Sequence, residues 1–374
     1  MTASADILII GGGVIGSSIA FNLLQDGFKG RILVIERDPS YQFASSALAM
    51  GGVRQQFMST VNIRMVQYSL KVLEHFPESQ FRQRGYLFLA TESNCEKLRR
   101  RHDIQKSLGA ECEMLDVSDV RRLVPELRSD DLVGGLFGPK DGYVDPRATL
   151  RAFRSRAEQL GAVYVSDEVE KIEAGYAQAV KSGRIGAPRI VIAAGAYSGV
   201  VAKLAGVEVP VTPVRQQLFR CALPRPWAYE FPVVIDPCGV HWRSSPHNEI
   251  VIAKTNPNEL PGLRFGCDLD RFHQDFMPPL IHRLPEFRDL KLVFGWGGLY
   301  EMTPDHNGII DRIPDIEGLY IATGFSGHGL MMSAATGKLM SELICTNKFE
   351  TVDASVLSFS RFARNELFWD EAMI

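Results

Sequence analysis

The feature that most constrains this chain is a glycine-rich turn between a short apolar strand and a helix near its amino terminus. The run Asp6–Ile10 is followed at once by Gly11-Gly-Gly13-Val-Ile-Gly16 and then by a helical segment. Such a run is typical of a buried parallel strand. In a dinucleotide-binding fold, Gly11 allows the tight turn, Gly13 lets backbone amides approach a pyrophosphate, and Gly16 lets the helix pack closely on the strand.

A second apolar strand, residues 31–35, ends in Glu36. This carboxylate lies about 20 residues beyond the last glycine, where the first β-α-β unit places the acid that accepts hydrogen bonds from ribose hydroxyls. Glycine clusters also occur in ordinary turns, and Glu36 alone could be a solvated carboxylate at a strand end. The whole pattern in register predicts a dinucleotide site, and the acid favours NAD or FAD over NADP without separating the first two.

Composition sets the class of protein. The 374 residues exceed the usual size of one domain, so two domains or one large α/β unit are expected. Hydrophobic residues at 45% and charged residues at 23% exclude disordered, collagen-like and coiled-coil proteins. A net charge of -3 gives no field that would attract nucleic acid. The six cysteines form no Cys-x-x-Cys pair, so no zinc or iron–sulfur site is predicted.

The first residues show no basic segment followed by an apolar stretch and a cleavage site, and no run approaches 18 apolar residues. Together with widely spaced cysteines, which are expected to be free thiols, this predicts a cytoplasmic protein without a membrane span.

Later segments bear on the choice between NAD and FAD. Residues 36–57 form a small-residue stretch that can lie against a planar ligand, and a buried strand over residues 190–194 ends at Gly195. Residues 318–344 read as a strand, a glycine loop and a helix whose free amides suit a negatively charged flavin edge. NAD would leave this second glycine loop without an obvious ligand, so FAD is predicted.

These segments together resemble the D-amino acid oxidase and glycine/sarcosine oxidase family of FAD-dependent amine oxidoreductases, nearly from end to end. The matching pieces are GGGVIGSSIA with Glu36, SSALAMGGVR, GYVDP, VIAAGAYS, EMTPD with GIID, and GFSGHGLMMSAATGKLMSELI. Closest in character are the flavin subunits of opine and L-proline dehydrogenases.

The resemblance implies an α/β FAD-binding Rossmann-like domain plus an α+β substrate domain with an antiparallel sheet. Residues 1–80, 141–210 and 305–374 would form the FAD-binding domain, and residues 81–140 and 211–304 the substrate domain. Short apolar runs broken by prolines in 211–304 independently suit an antiparallel sheet.

The resemblance also implies cofactor contacts along most of the chain. They would be made by Gly11, Gly13, Val14, Ile15, Gly16, Glu36, Arg37, Ser45, Ser46, Gly51, Gly52, Val169, Ala194, Gly195, Gly324, Gly327, His328, Gly329, Leu330 and Met331. Sarcosine-oxidase-like members attach FAD through a cysteine at the position of Gly298, so FAD is predicted here to be bound non-covalently.

The candidate catalytic residues are Arg54, His241, Arg243 and Tyr300. By family position Arg54 would stabilise reduced flavin or grip a substrate carboxylate through its two-donor fork, and the alternative is a surface arginine. The other three, with Trp242, lie on predicted strands, where such side chains are more often packing residues.

Three departures from the family pattern shape the expected substrate. Met331 stands where related oxidases have a carboxylate-binding lysine, and Phe57 stands where they have a second arginine. Both changes would make the pocket more apolar and suited to a larger secondary amine. The lysine that activates oxygen in those oxidases has no clear counterpart, which favours a dehydrogenase over an oxidase.

The predicted function is FAD-dependent oxidation of the C–N bond of a secondary or D-amino acid, such as an opine, proline or sarcosine-like compound. The substrate would transfer a hydride to flavin N5, and water would hydrolyse the imine. The alternatives are a 2-hydroxy acid or glycerol-phosphate dehydrogenase, or a flavoprotein assembly factor with little turnover. The protein could be a homo-oligomer or a heteromer with electron-accepting subunits.

Overall fold

The computed structural model describes residues 3–372. Its α-helices are α1 (Val14–Gln25), α2 (Thr60–Glu74), α3 (Cys95–Ser107), α4 (Val117–Leu123), α5 (Pro146–Gln159), α6 (Ser198–Lys203), α7 (Leu269–Arg271), α8 (Met277–Arg283) and α9 (Gly329–Thr346). Its strands are β1 (Ala3–Ser4), β2 (Ile7–Ile10), β3 (Ile32–Glu36), β4 (Gly52–Val53), β5 (Tyr86–Thr91), β6 (Glu113–Leu115), β7 (Leu132–Gly138), β8 (Gly142–Tyr143), β9 (Val163–Ser166), β10 (Val169–Glu173), β11 (Tyr176–Ala179), β12 (Gly183–Gly186), β13 (Arg189–Ile192), β14 (Thr212–Ala222), β15 (Val233–Ile235), β16 (Val240–Ser245), β17 (Glu249–Lys254), β18 (Lys291–Met302), β19 (Ile309–Arg312) and β20 (Leu319–Thr323).

A six-stranded sheet in the order β19-β20-β13-β2-β3-β9 carries the amino-terminal turn. Its strands are parallel except for β19 at the edge. Alternate residues of β2 enter different cores: Ile7 and Ile9 pack with α1, α5 and α9, whereas Leu8 and Ile10 pack with the small sheet β1-β12-β11-β10. Burial on both faces explains why this strand is a continuous apolar run.

The second large sheet has eight strands in the order β18-β14-β17-β16-β15-β5-β7-β6. Its neighbours pair antiparallel except for β15 and β5, which are parallel. The strands fall within residues 86–138 and 212–302. The predicted fold class, a Rossmann-like domain with a second, largely antiparallel sheet, is confirmed, while the residue boundaries between the domains stay a prediction.

Helix starts follow local side-chain chemistry. The Ser59 hydroxyl accepts a hydrogen bond from the backbone of Asn62 at the start of α2, and the Asp145 carboxylate accepts one from Ala148 at the start of α5. Pro146 occupies the first position of α5, where no donor is needed. Neither α1 nor α9 has such a side-chain cap, which matters for the site below.

Within residues 3–372, no helix has both the length and the apolar character that crossing a bilayer requires.

Candidate active site

A cavity of about 870 Å³ lies between the carboxyl edge of the parallel sheet and one face of the eight-stranded sheet. Cavities of this size hold cofactors and drug-sized ligands. The carboxyl ends of neighbouring parallel strands meet at one edge, which is where this fold class binds nucleotides. One end of the cavity is lined by the turn after β2 and by residues after β3, and the other by β5, β16, β18 and the start of α9.

Two glycines of the amino-terminal turn are required by close backbone approach. Gly11 has φ +105°, and a Cβ there would lie 2.4 Å from the carbonyl oxygen of Ala193. A Cβ on Gly16 would lie 1.9 Å from the Gly11 carbonyl oxygen. Gly11 lines the cavity and Gly16 does not, so Gly16 acts by letting α1 pack against the turn.

The beginning of α1 faces the cavity with free amide groups. Gly13 is its N-cap and has no side chain to accept them, and within residues 3–372 only the Val14 nitrogen among them donates to a side chain, the Ser46 hydroxyl at 3.4 Å. Gly13, Val14 and Ile15 all line the cavity. An uncapped helix start attracts phosphate through its donors and its dipole.

Glu36 lines the same end of the cavity. Its Oε2 accepts a hydrogen bond from the Gly12 nitrogen at 2.9 Å, and its Oε1 accepts one from the Asp38 nitrogen at 2.8 Å. Burial raises the pKa of this carboxyl. A carboxylate offers about four acceptor positions, so acceptor capacity remains for ribose hydroxyls.

The other predicted cofactor contacts fall into two groups: residues that line the cavity, and glycines outside the lining that allow close backbone packing. Gly324 has φ +77° and packs against Thr303 outside the lining, so together with Gly16 it is a structural glycine. All the remaining predicted positions line the cavity: Arg37, Ser45, Ser46, Gly51, Gly52, Val169, Ala194, Gly195, Gly327, His328, Gly329, Leu330 and Met331.

Arg54 lies at the far end of the cavity and is only 1% exposed, so the alternative of a surface arginine is wrong. Its Nη1 donates to the Gln56 carbonyl at 2.6 Å, and its Nη2 donates to the Ala372 carbonyl at 2.8 Å. Nη2 also lies 3.4 Å from His328 Nε2. Burial lowers the pKa of the guanidinium.

Both histidines of the cavity are neutral. A guanidinium only donates, so His328 Nε2 is the acceptor towards Arg54. Burial and the nearby Arg54 charge lower the pKa of His328 to about 3, and burial lowers that of His241 to about 4. His241 Nδ1 donates to the Gly239 carbonyl at 3.1 Å, which leaves Nε2 as an acceptor. Arg54 therefore faces no competing histidine charge.

Tyr300 lines the cavity, as do two residues that the sequence did not reveal, Tyr86 and Glu301. A Cβ on Gly327 would lie 2.4 Å from the Tyr300 ring, so that glycine lets the loop before α9 approach the tyrosine. Burial raises the pKa of Tyr86 to about 12 and keeps its hydroxyl protonated. Tyr86 lies in an apolar run of β5 that carries no functional signal.

Arg243, a predicted catalytic residue, lies outside the cavity lining. Its Nε donates to the Met50 carbonyl at 2.8 Å, its Nη1 donates to its neighbour Ser244, and its guanidinium lies 4.6 Å from the centre of the Tyr143 ring. It supports the backbone of the lining residue Met50. Trp242 points the other way and is fully buried in the core of the second sheet.

Phe57 is a correction to the expected apolar lining. It is fully buried and does not line the cavity. The Arg54 guanidinium lies 4.2 Å from the centre of its ring, and the His328 ring packs edge-on at 5.3 Å. Phe57 therefore supports Arg54 and His328 from behind, while Met331 alone supplies the expected apolar lining at these two positions.

These residues fit an extended dinucleotide with a second ring system. Glu36 and the start of α1 suit the ribose and pyrophosphate, and the uncapped start of α9 suits an electron-rich ring edge at the other end. Gly298 lines the cavity, and no cysteine of the described chain does. The lining thus offers no thiol for covalent attachment.

Comparisons with known proteins agree with this geometry. The family profile described as FAD dependent oxidoreductase (DAO) matches residues 6–343. FAD-dependent oxidoreductase domain-containing protein 1 of Xenopus laevis is 31% identical, covering 97% of this chain and 83% of that protein. Glycine oxidase of Geobacillus kaustophilus is 25% identical over 96% and 98%. The crystal structure of L-proline dehydrogenase from P. horikoshii superposes with a TM-score of 0.91 at 26% identity, covering 98% of this chain and all of that one.

Proposed function

The chain belongs to the DAO family of FAD-dependent oxidoreductases, and on this premise we propose that it oxidises the C–N bond of an amino acid whose carboxylate is held by Arg54. FAD, when bound, supplies the hydride acceptor. The amino acid would be a secondary or D-amino acid, and the resulting imine would be hydrolysed by water. FAD would be held without a covalent bond, so acid precipitation should release all of it from the protein.

One observation carries this proposal. In the described part of the chain, three arginines are at most 2% exposed: Arg54, Arg283 and Arg361. Arg283 pairs with Asp131 and Asp236 at 2.7 Å, and Arg361 pairs with Asp305 at 2.8 Å. Within residues 3–372, no carboxylate lies within 4 Å of Arg54.

A buried cation without a partner is costly, and an anionic ligand in the cavity would remove that cost. Arg54 lines the cavity, so a substrate carboxylate can reach it. Because both cavity histidines are neutral, a substrate carboxylate would meet the charge of Arg54 with no histidine charge beside it.

The rest of the far end supports an amine with apolar substituents. Met50, Leu218, Ala253 and Met331 line it. The unprotonated His241 Nε2 offers an acceptor for the substrate N–H. The similarity to a glycine oxidase and an L-proline dehydrogenase supports the same substrate class.

The test is steady-state turnover with an artificial dye as electron acceptor, using amines in pairs that differ only in the carboxylate. Proline would be compared with pyrrolidine, and sarcosine with dimethylamine. We expect kcat/KM to be at least about 10-fold higher for the carboxylate member, because one charge-assisted hydrogen bond from Arg54 contributes about 1.5–3 kcal/mol. Equal turnover of proline and pyrrolidine would contradict the proposal.

A 2-hydroxy acid dehydrogenase is the second candidate, because Arg54 could hold that carboxylate equally well. A glycerol phosphate dianion would need a second cation beside Arg54, and the lysine of the lining, Lys254, donates to the Asp275 carbonyl at 3.3 Å. An assembly factor with little turnover would show no substrate-dependent reduction of the flavin.

We also propose a dehydrogenase acting in the cytoplasm, which the six unpaired cysteines support.

A further inference from the structure

The last described part of the chain passes behind the substrate end of the cavity. We call residues 366–372 the C-terminal strap. It has no helix or strand, yet Ala372 is fully buried and Asp370 is only 5% exposed. The Asn307 side chain donates to the Phe368 carbonyl at 2.8 Å, and the Arg101 side chain donates to the Glu371 carbonyl. A segment without secondary structure is thus tied down by side chains.

Asp370 is the main anchor of the strap. Its carboxylate accepts hydrogen bonds from the backbone nitrogens of Met58 and Ser59 at 3.0 and 2.9 Å, and from the Asn62 side chain at 3.2 Å. These groups lie at the beginning of α2, where unpaired amide donors favour an acid. The Ala372 nitrogen donates to the same carboxylate at 3.0 Å. Asp370 therefore fixes its own segment against the start of α2.

The strap ends on Arg54. The Ala372 carbonyl accepts from Arg54 Nη2, opposite the Gln56 carbonyl that accepts from Nη1. Among the five N–H groups of a guanidinium, only Nε–H and the second Nη1–H then lack a partner within residues 3–372. The orientation of the Arg54 guanidinium plane therefore depends on the Ala372 carbonyl, which Asp370 holds in place.

We propose that the C-terminal strap belongs to the substrate site and that Asp370 is a positioning residue, which orients Arg54 towards the substrate carboxylate through the Ala372 carbonyl. This inference rests on the proposed function of Arg54. A charge-assisted hydrogen bond to the carboxylate depends on where the remaining Arg54 N–H groups point, and a displacement of about 1 Å can cost about 100-fold in rate. Without its anchor, the guanidinium keeps its charge and loses its direction.

The test measures binding of pyrrole-2-carboxylate, a flat carboxylate that has no Cα–H to oxidise, through its perturbation of the bound flavin spectrum. We expect Asp370→Ala to raise the Kd about tenfold or more, with unchanged FAD occupancy, and Asp370→Asn to have a smaller effect because one acceptor oxygen remains. The KM for the carboxylate substrate should rise more than kcat falls. Glu366→Gln is the matched control, since Glu366 lies on the same strap and its side chain is 59% exposed and pairs with Arg364 at the surface.

A double-mutant cycle separates positioning from general destabilisation. If the strap acts through Arg54, Asp370→Ala should add nothing to the loss of binding in an Arg54→Ala background. Additive losses, or a Kd unchanged in both Asp370 variants, would overturn the strap proposal while leaving Arg54 in its role. A Kd unchanged in Arg54→Ala itself would overturn both proposals. If Asp370→Ala does not fold, the cycle is run with Asp370→Asn and read in the same way.

Discussion

Arg54 combines burial, charge and a missing acidic partner in one side chain. The other two arginines that are as deeply buried are each neutralised by aspartates, and their role is structural. Phe57 and two backbone carbonyls hold Arg54 without neutralising it. Such an arrangement is stable in the presence of an anion and costly in its absence. This arrangement supports the proposal that Arg54 binds an anionic ligand.

The first prediction compares two buried arginines. Arg54→Lys should lower kcat/KM for the best amino acid by about 10-fold or more, because lysine keeps the charge but cannot reproduce the planar guanidinium that the Gln56 and Ala372 carbonyls orient. Arg243→Lys should change kcat/KM only a few-fold, since Arg243 lies outside the cavity lining. FAD content should stay that of the wild type in both. Equal losses in the two variants would mean that the arginines act through structure alone.

Asp141 gives a second prediction, about stability. It is fully buried, accepts a hydrogen bond from the Gln55 nitrogen at 3.0 Å, and has a pKa that burial raises from 3.8 to about 7. The unfolded chain releases this proton at lower pH than the folded protein does. The side chain therefore favours folding below about pH 4, and this contribution is lost as pH rises towards 7.

Asp141→Asn removes the titrating group and keeps an acceptor for Gln55. The variant should be more stable than the wild type at pH 8, by up to roughly 4 kcal/mol at about 1.4 kcal/mol per pKa unit, and the difference should shrink towards pH 4. Urea denaturation at both pH values measures it. A pH-independent difference would show that Asp141 does not titrate in this range.

The helices α1 and α9 both begin at the cavity without a side-chain cap, since the N-cap of α1 is Gly13 and the N-cap of α9 is His328, whose ring contacts Arg54 instead. Gly16 shows how tightly α1 must sit. A Cβ at Gly16 would lie 1.9 Å from the Gly11 carbonyl, whereas a Cβ at Gly186 would meet nothing within 4 Å. The start of α1 can thus pack this closely on the turn because Gly16 has no side chain.

Gly16→Ala should therefore push α1 away from the turn, lower stability by about 1–3 kcal/mol and reduce FAD occupancy of the purified protein. Gly186→Ala is the matched control and should keep both properties. Thermal unfolding and flavin absorbance after gel filtration measure the two effects. Full FAD occupancy in Gly16→Ala would show that the turn tolerates the displacement and that its geometry is not needed for binding.

Local patterns predicted the elements well, because the glycine turn, the apolar strands and the helix starts depend on neighbouring residues. The eight-stranded sheet was predicted as antiparallel, and its single parallel pair, β15 with β5, joins segments about 150 residues apart that no local pattern connects. Arg243 could not be separated from His241 by sequence, since residues two apart share a strand face. Only the extent of the cavity separates them.

Contacts between distant segments were beyond sequence reasoning altogether. Tyr86 lies in an ordinary apolar strand, and its place in the lining comes from pairing within the second sheet. The support of Arg54 by Ala372 joins residues 318 positions apart. Such contacts depend on the complete fold and leave no local signal in the chain.

The whole molecule brings together a nucleotide edge and a substrate face. The parallel sheet supplies the turn, Glu36 and the start of α9, and the eight-stranded sheet supplies Tyr86, His241 and Tyr300 across the same cavity. Neither sheet alone forms the cavity, because each provides one end of its lining. The C-terminal strap links the start of α2 to Arg54, because Asp370 accepts from the Ser59 nitrogen and the Ala372 carbonyl accepts from Arg54. Under the proposed function, this layout would hold a substrate beside FAD, which supplies the hydride acceptor.

The most direct test of an amino acid oxidoreductase is an anaerobic titration of the FAD-loaded protein that follows the absorbance of oxidised flavin. The candidates are sarcosine, proline, opines and both enantiomers of common amino acids, with lactate and glycerol 3-phosphate as the competing classes. We predict that at least one secondary or D-amino acid bleaches the flavin in the wild type and fails to do so at the same concentration in Arg54→Ala. Bleaching by lactate or glycerol 3-phosphate alone, or by no compound in either class, would contradict the proposed function.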